Sequence, residues 1–154
     1  MPIVPASFAI ALGIAIGARQ LAAWRRERAS ERLLPRGEDG IIRGAEPVSI
    51  AGGSRGAVLL LHGFGDTPQA LGDLAQRLAD RGWSVRAPLL PGHGRSLPDF
   101  ARSRAAHWIS HARRELEALR ATHDAVHLVG LSMGGAIAAI LAAEDAGTAR
   151  GMST

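Results

Sequence analysis

The amino-acid sequence predicts an α/β fold built on a mostly parallel sheet, and three observations carry that prediction. From Ala45 onward, apolar runs of strand length alternate with amphipathic stretches of helical period. Three of the runs end in glycine-rich turns, HGFGD at 62–66, PGHG at 91–94 and GLSMGG at 130–135. The helical stretches between them, roughly 12 to 18 residues long, suit right-handed crossovers, so all three turns should emerge on the ligand-binding edge of one sheet.

Taken in order, Val48 to Ile50 is a short strand before the AGGSRG turn, and Ala57 to Leu61 (AVLLL) is a continuous apolar run with the length of a strand buried on both faces. Thr67 and Pro68 supply an N-cap and a proline at the first helical position. Leu71, Leu74, Ala75, Leu78 and Ala79 then fall on one helical face, and Gly82 stops the helix. Residues 83–88 (WSVRAP) form the next strand, and 89–99 (LLPGHGRSLPD) read as loop. A helix within 103–121 places Trp108, Ile109, Ala112, Leu116 and Leu119 on one side. The third strong strand is 125–130, and a helix from Met133 to Glu144 follows it.

The N-terminal part reads differently. Residues 2–18 hold no charge, and RQLAAWRRER follows them. As a helix they would extend about 26 Å, slightly under a hydrocarbon core, with Arg19 snorkelling and Trp24 at interface depth. The expectation is a membrane anchor over 1–24, with the C-terminal domain on the cytoplasmic side by the distribution of Arg; an exported, signal-like segment and a buried helix are the alternatives. Residues 25–44 suit a charged linker, and 45–154 form the folded domain.

Composition narrows the chemistry. The chain of 154 residues has no Cys, which excludes disulfides, thiolate metal sites and a cysteine nucleophile. Its six His show no HExxH-like spacing, so neither a metal nor another cofactor is implied. The formal net charge of +4 is concentrated near the N-terminus: residues 1–43 carry seven Arg against four acidic residues, and the remaining 111 carry eleven against ten. A basic stripe interleaved with aromatics is missing, which argues against a nucleic-acid partner.

Gly130-Leu-Ser132-Met-Gly134 is informative only through its context, because about 0.15 such Gly-x-Ser-x-Gly matches arise by chance in this composition. A strand precedes it and a small-residue helix follows it. That is the setting in which a nucleophilic serine is held at a strained strand-to-helix turn whose neighbours must be glycine. The helix N-terminus points unpaired N–H groups at the site, and the Met133 N–H becomes a donor for a developing oxyanion. His62 and His93 read as loop-anchoring residues rather than bases, since a base must reach the serine oxygen within about 3 Å. His107, His111, His123 and His127 read as a helix N-terminal turn, a helix face, a loop and a strand position.

These residues, from VLLLHGFGD through LLPGHGRS to VHLVGLSMGGAIAAILA, resemble the N-terminal half of an α/β-hydrolase. The likeness is to the carboxylesterase and monoacylglycerol-lipase-like group that includes serine aminopeptidase S33-type members. The resemblance implies a three-layer fold that is incomplete at the C-terminus. It also implies Ser132 as nucleophile, the backbone N–H groups of Phe64 and Met133 as oxyanion hole, and Gly63, Gly130, Gly134 and Gly135 as backbone-shaping residues. The expected activity is hydrolysis of a small-molecule or lipidic ester through an acyl-serine; transferase, thioesterase, peptidase and a non-catalytic binding module stay open. In this superfamily an acid and a histidine follow the serine. Here only Glu144 and Asp145 follow, with no His, so the expectation is a fragment of little activity by itself.

Overall fold

In the computed structural model, residues 6–151 are described, and the chain divides in sequence into two units between Pro35 and Arg36. The first is a single helix, α1 (Ala6–Leu33). It runs through residues 25–33 of the stretch expected to be a charged linker, and Pro35 lies just beyond its end, where a residue lacking an N–H cannot continue the ladder. Within it the guanidinium of Arg28 stands over the Trp24 ring at 4.0 Å, a cation–π contact.

The membrane anchor read from residues 2–18 is corrected here, together with the localisation and the membrane partner derived from it. No helix among the described residues is long and apolar enough to cross a membrane. The physical reason is length: from Ala6 the uncharged part of α1 reaches only to Ala18 before Arg19, about 20 Å of helix against a hydrocarbon core of about 30 Å. Residues 2–5 of the expected segment lie outside the described residues.

The second unit is α/β. It comprises β1 (Val48–Ile50), β2 (Ala57–Leu61), a 3₁₀ turn (Pro68–Leu71), α2 (Gly72–Ala79), β3 (Ser84–Ala87), α3 (Leu97–Arg102), α4 (Ala105–Arg120), β4 (Val126–Gly130) and α5 (Met133–Gly151). The sheet order is β1-β3-β2-β4, with β2 parallel to both β3 and β4 and β1 antiparallel to β3. The helix expected at Thr67 begins later, because Pro68 opens a 3₁₀ turn and Thr67 forms no side-chain cap.

β2 is central and wholly buried. Its side chains alternate, which divides the core into two layers. Ala57, Leu59 and Leu61 face Trp108, Ala112, Leu116 and Leu119 of α4 and Ile137 and Leu141 of α5. Val58 and Leu60 face Leu71, Ala75, Val85 and Ala87 on the other side. The α4 face predicted from periodicity is thus the buried face. β4 contrasts with β2: Val126 and Leu128 join the α4–α5 layer, whereas His127 and Val129 are exposed.

Two ion-pair bridges tie α4 to α5. Arg113 meets the Glu144 carboxylate at 2.7 Å, and Arg120 pairs with Asp145. Partly exposed pairs of this kind contribute at most about 1 kcal/mol each.

Candidate active site

Ser132 stands between the last residues of β4 and the first turn of α5, with φ of 49°. Among the described residues it is the one non-glycine residue at positive φ. For a residue with a Cβ this left-handed backbone costs about 1–2 kcal/mol, so the surrounding packing must hold it there. The packing is evident at its two neighbours. A Cβ on Gly130 would collide with the backbone of Gly134 and Gly135, and a Cβ on Gly134 would collide with the Leu61 carbonyl group. The turn is pinned by the Leu131 N–H donating to Leu61 O at 2.9 Å and the Gly134 N–H donating to Leu131 O at 2.8 Å.

The HGFGD loop after β2 comes against this turn. A Cβ placed on Gly63 would lie 3.6 Å from Leu131 O and 3.8 Å from Ser132 Cβ, ordinary van der Waals contact. The loop curls through Gly65, at φ of 70°, with the Asp66 N–H donating to Gly63 O at 3.3 Å. Phe64 and Met133, the expected oxyanion donors, therefore belong to two segments brought together at Ser132. Gly135 is also tight: a Cβ there would approach Gly130 O to 3.2 Å.

His62 is fully buried, and both ring nitrogens are engaged. Nδ1 is 3.0 Å from Gly63 O, and Nε2 accepts the Leu90 N–H at 3.0 Å. That pairing requires the Nδ1–H tautomer of a neutral ring, which links the β2 loop to the β3 loop and leaves no nitrogen for a serine proton. His93 is buried beside it, the two ring centroids 4.8 Å apart, with Nδ1 3.3 Å from Pro91 O and Nε2 without a hydrogen bond. The loop-anchoring role expected of His62 is seen in its bonds to Gly63 O and the Leu90 N–H. The pKa values of both histidines are lowered chiefly by burial, which disfavours the imidazolium.

A pH effect on stability follows. Each ring favours the fold in its neutral form, so its contribution is complete above the unfolded pKa of about 6.5 and is lost as pH falls towards the depressed folded values. The melting temperature should therefore drop between pH 8 and pH 5.5. His93→Phe, which keeps the aromatic packing and removes one titrating ring, should shrink that drop; an unchanged drop would exclude His93 as a source.

The remaining histidines stand away from the nucleophile or face other partners. His127 lies towards the opposite end of β4, edge-on to Trp83 at 4.9 Å. His111 lies 3.9 Å from the Glu115 carboxylate, and His123 Nδ1 is 3.2 Å from Leu119 O. His107 is exposed on the first turn of α4. Glu144 and Asp145, the two acids that follow Ser132, are engaged by Arg113 and Arg120 about 18 Å along α5 from the nucleophile.

One group escaped the sequence reading. The stretch 89–99, read as loop, leads into α3, and α3 places Phe100 5.0 Å from Phe64 and 4.8 Å from His93 by ring centroids. The signal was present at Ser96 to Asp99: the Ser96 hydroxyl accepts the Asp99 N–H and donates to the Asp99 carboxylate at 2.6 Å, a capping-box pattern with Pro98 in the first turn.

Residues 52–153 match the family described as serine aminopeptidase, S33. The chain is 35% identical over 102 residues to a thermostable monoacylglycerol lipase from a Bacillus species, covering 66% of this chain and 40% of the lipase. It is 31% identical over 91 residues to a Bacillus subtilis carboxylesterase, covering 58% of this chain and 37% of that enzyme. It is 40% identical over 94 residues to the dihydrolipoyllysine-residue acetyltransferase component of the acetoin cleaving system of Cupriavidus necator, covering 60% and 24%. Among solved structures, one from work on the metagenome-derived lipolytic enzymes LipS and LipT is similar at 37% identity with a TM-score of 0.61, over 64% of this chain and 40% of that one. The chain thus spans less than half the length of each of these relatives.

Proposed function

Because this chain belongs to the serine aminopeptidase S33 family of α/β-hydrolases, we propose that Ser132 is the nucleophile of a carboxylic ester hydrolase, with the folded domain supplying its oxyanion hole. The observation that carries the reading is the positive φ of Ser132 between two glycines that have no room for a Cβ. A strained backbone of this kind, sustained by packing, is the mark of a side chain held out for chemistry.

In the proposed reaction Ser132 Oγ attacks the ester carbonyl, its proton passes to a base, and the carbonyl oxygen becomes an oxyanion. The Phe64 and Met133 N–H groups stabilise that oxyanion, aided by the N-terminus of α5. The alkoxide leaves as alcohol, and water releases the acid from the acyl-serine. The base and its orienting acid are not among the described residues. An acylglycerol or related lipidic ester is the proposed substrate class, supported by the lipase and carboxylesterase relatives. The acetyltransferase relative favours a second acceptor, a thiol or alcohol in place of water.

The test is covalent trapping. At pH 9, where hydroxide can take the serine proton, a fluorophosphonate should add slowly and once per chain, on the peptide containing Ser132, and Ser132→Ala should abolish the adduct. Adducts spread over several of the serines would sink the assignment. Turnover of p-nitrophenyl butyrate should be lower by about 10⁴ or more than that of a serine esterase with its base in place. A fast rate lost in Ser132→Ala would show that this chain provides the base after all.

A further inference from the structure

The edge of the sheet that holds Ser132 carries more than the nucleophile. Phe64 is 64% exposed, a large apolar side chain on the surface one residue from Gly63, at which an added Cβ would lie 3.8 Å from Ser132 Cβ. Its ring is not solitary. It meets Phe100 at 5.0 Å and Trp108 at 5.9 Å, both edge to face, and so forms the outer part of an aromatic platform whose inner members are His93 and Trp108. Trp108 is fixed by its indole N–H donating to Pro91 O at 2.9 Å.

Beyond Phe100 the same short helix, α3, turns towards a cleft of ≈ 360 Å³. Arg95, Arg102 and His107 line it, with Ser103 and Asp99. Gly92 also lines it, at φ of 82°, where a Cβ would press to 2.7 Å from the Ser103 hydroxyl and 2.8 Å from Asp99 O. The one carboxylate in the cleft is already engaged: Asp99 accepts from the Ser96 hydroxyl and pairs with Arg102 at 3.0 Å. Arg95 uses one N–H on Asp39 O at 2.8 Å, which leaves most of its five donors for another acceptor. Two guanidinium groups against one carboxylate give the cleft an excess of positive charge, in a form suited to planar or phosphate oxygens.

The cleft follows β3 and Ser132 follows β4, with β2 and its Phe64 loop between them. Two strand spacings, about 10 Å, separate the strands from which the two loops leave. We propose that nucleophile, platform and cleft form one binding track, with the aromatic surface of Phe64 and Phe100 leading from Ser132 to the cationic cleft of Arg95 and Arg102, and that it takes amphiphilic esters bearing an anionic head group. The proposal rests on Ser132 as the reacting group and deepens that reading by naming the substrate class. Apolar contact along the rings supplies affinity, and the arginines select charge and fix which end of the molecule faces the serine.

The test is equilibrium binding to the full chain by titration calorimetry, with three probes: hexyl phosphate, hexanol and inorganic phosphate. Hexyl phosphate should bind at least tenfold more tightly than either of the others, and the advantage should fall several-fold between 50 and 300 mM NaCl. Arg95→Gln combined with Arg102→Gln should reduce hexyl phosphate binding at least tenfold and leave hexanol binding unchanged. Phe100→Ala should weaken hexyl phosphate and leave inorganic phosphate unchanged. Equal binding of hexanol and hexyl phosphate would overturn the cationic cleft, and equal binding of inorganic and hexyl phosphate would overturn the aromatic connection. Ser132→Ala should keep the preference for hexyl phosphate over hexanol, which the two arginines set. Binding retained where fluorophosphonate trapping fails would therefore reject the nucleophile and keep the track, while trapping without binding would do the reverse.

Discussion

Gly134→Ala is expected to destabilise the α/β unit by about 3 kcal/mol or more and to abolish trapping at Ser132. The added methyl has no free volume to enter: it would lie on the Leu61 carbonyl group and close to the His62 carbonyl oxygen, both backbone, so no rotamer change relieves the overlap. Relief requires α5 to move off β2. That movement stretches the Leu131 N–H bond to Leu61 O and carries Met133 away from the Phe64 loop. The same substitution at Gly72, whose Cβ position has nothing within 4 Å, should be neutral or slightly stabilising, because alanine is the better helix former. Chemical denaturation of the two variants checks the contrast; a Gly134→Ala protein as stable as Gly72→Ala would mean that the elbow is not tightly packed.

Leu59→Ala should cost a similar amount for a different reason. Leu59 is fully buried at the centre of β2, in the layer that α4 and α5 share. Removing its isobutyl end leaves a cavity walled by elements that are themselves held by strand pairing, so collapse is incomplete and the loss lies at about 2–5 kcal/mol. The effect should appear in the denaturation midpoint with little change in slope. A loss below about 1 kcal/mol would mean that this layer repacks freely.

The alternation of strands and helices was legible because β2, β4, α4 and α5 announce themselves by apolar runs and by the 3.6 period of Trp108, Ala112, Leu116 and Leu119. The elbow was legible because Gly130, Ser132 and Gly134 sit at a strand-to-helix junction. The roles of His62 and His93 were harder to read, since a buried imidazole and a catalytic one carry the same letter; what separates them is the Leu90 N–H bonded to His62 Nε2, a contact across 28 positions of sequence. α3 was hidden by the turn residues around it, although its cap is local. The N-terminal stretch misled in the opposite direction: uninterrupted apolar letters suggest a span, but the apolar length of α1 ends where the first charge falls, and Arg19 falls early.

The edge position of β4 has a consequence for how the protein behaves in concentrated solution. Among the described residues one side of this strand has no neighbouring strand in the sheet, and Val129 on it and Leu131 just after it are 37% and 46% exposed. A row of unpaired amides beside apolar side chains is a template for another strand, and two copies of the chain can each offer one. Copies of the chain share a formal net charge of +4, most of it near the N-terminus, and salt screens the repulsion between them. For the 154-residue chain, strand-to-strand association is therefore expected to rise with ionic strength, which light scattering at 50 and 500 mM NaCl checks.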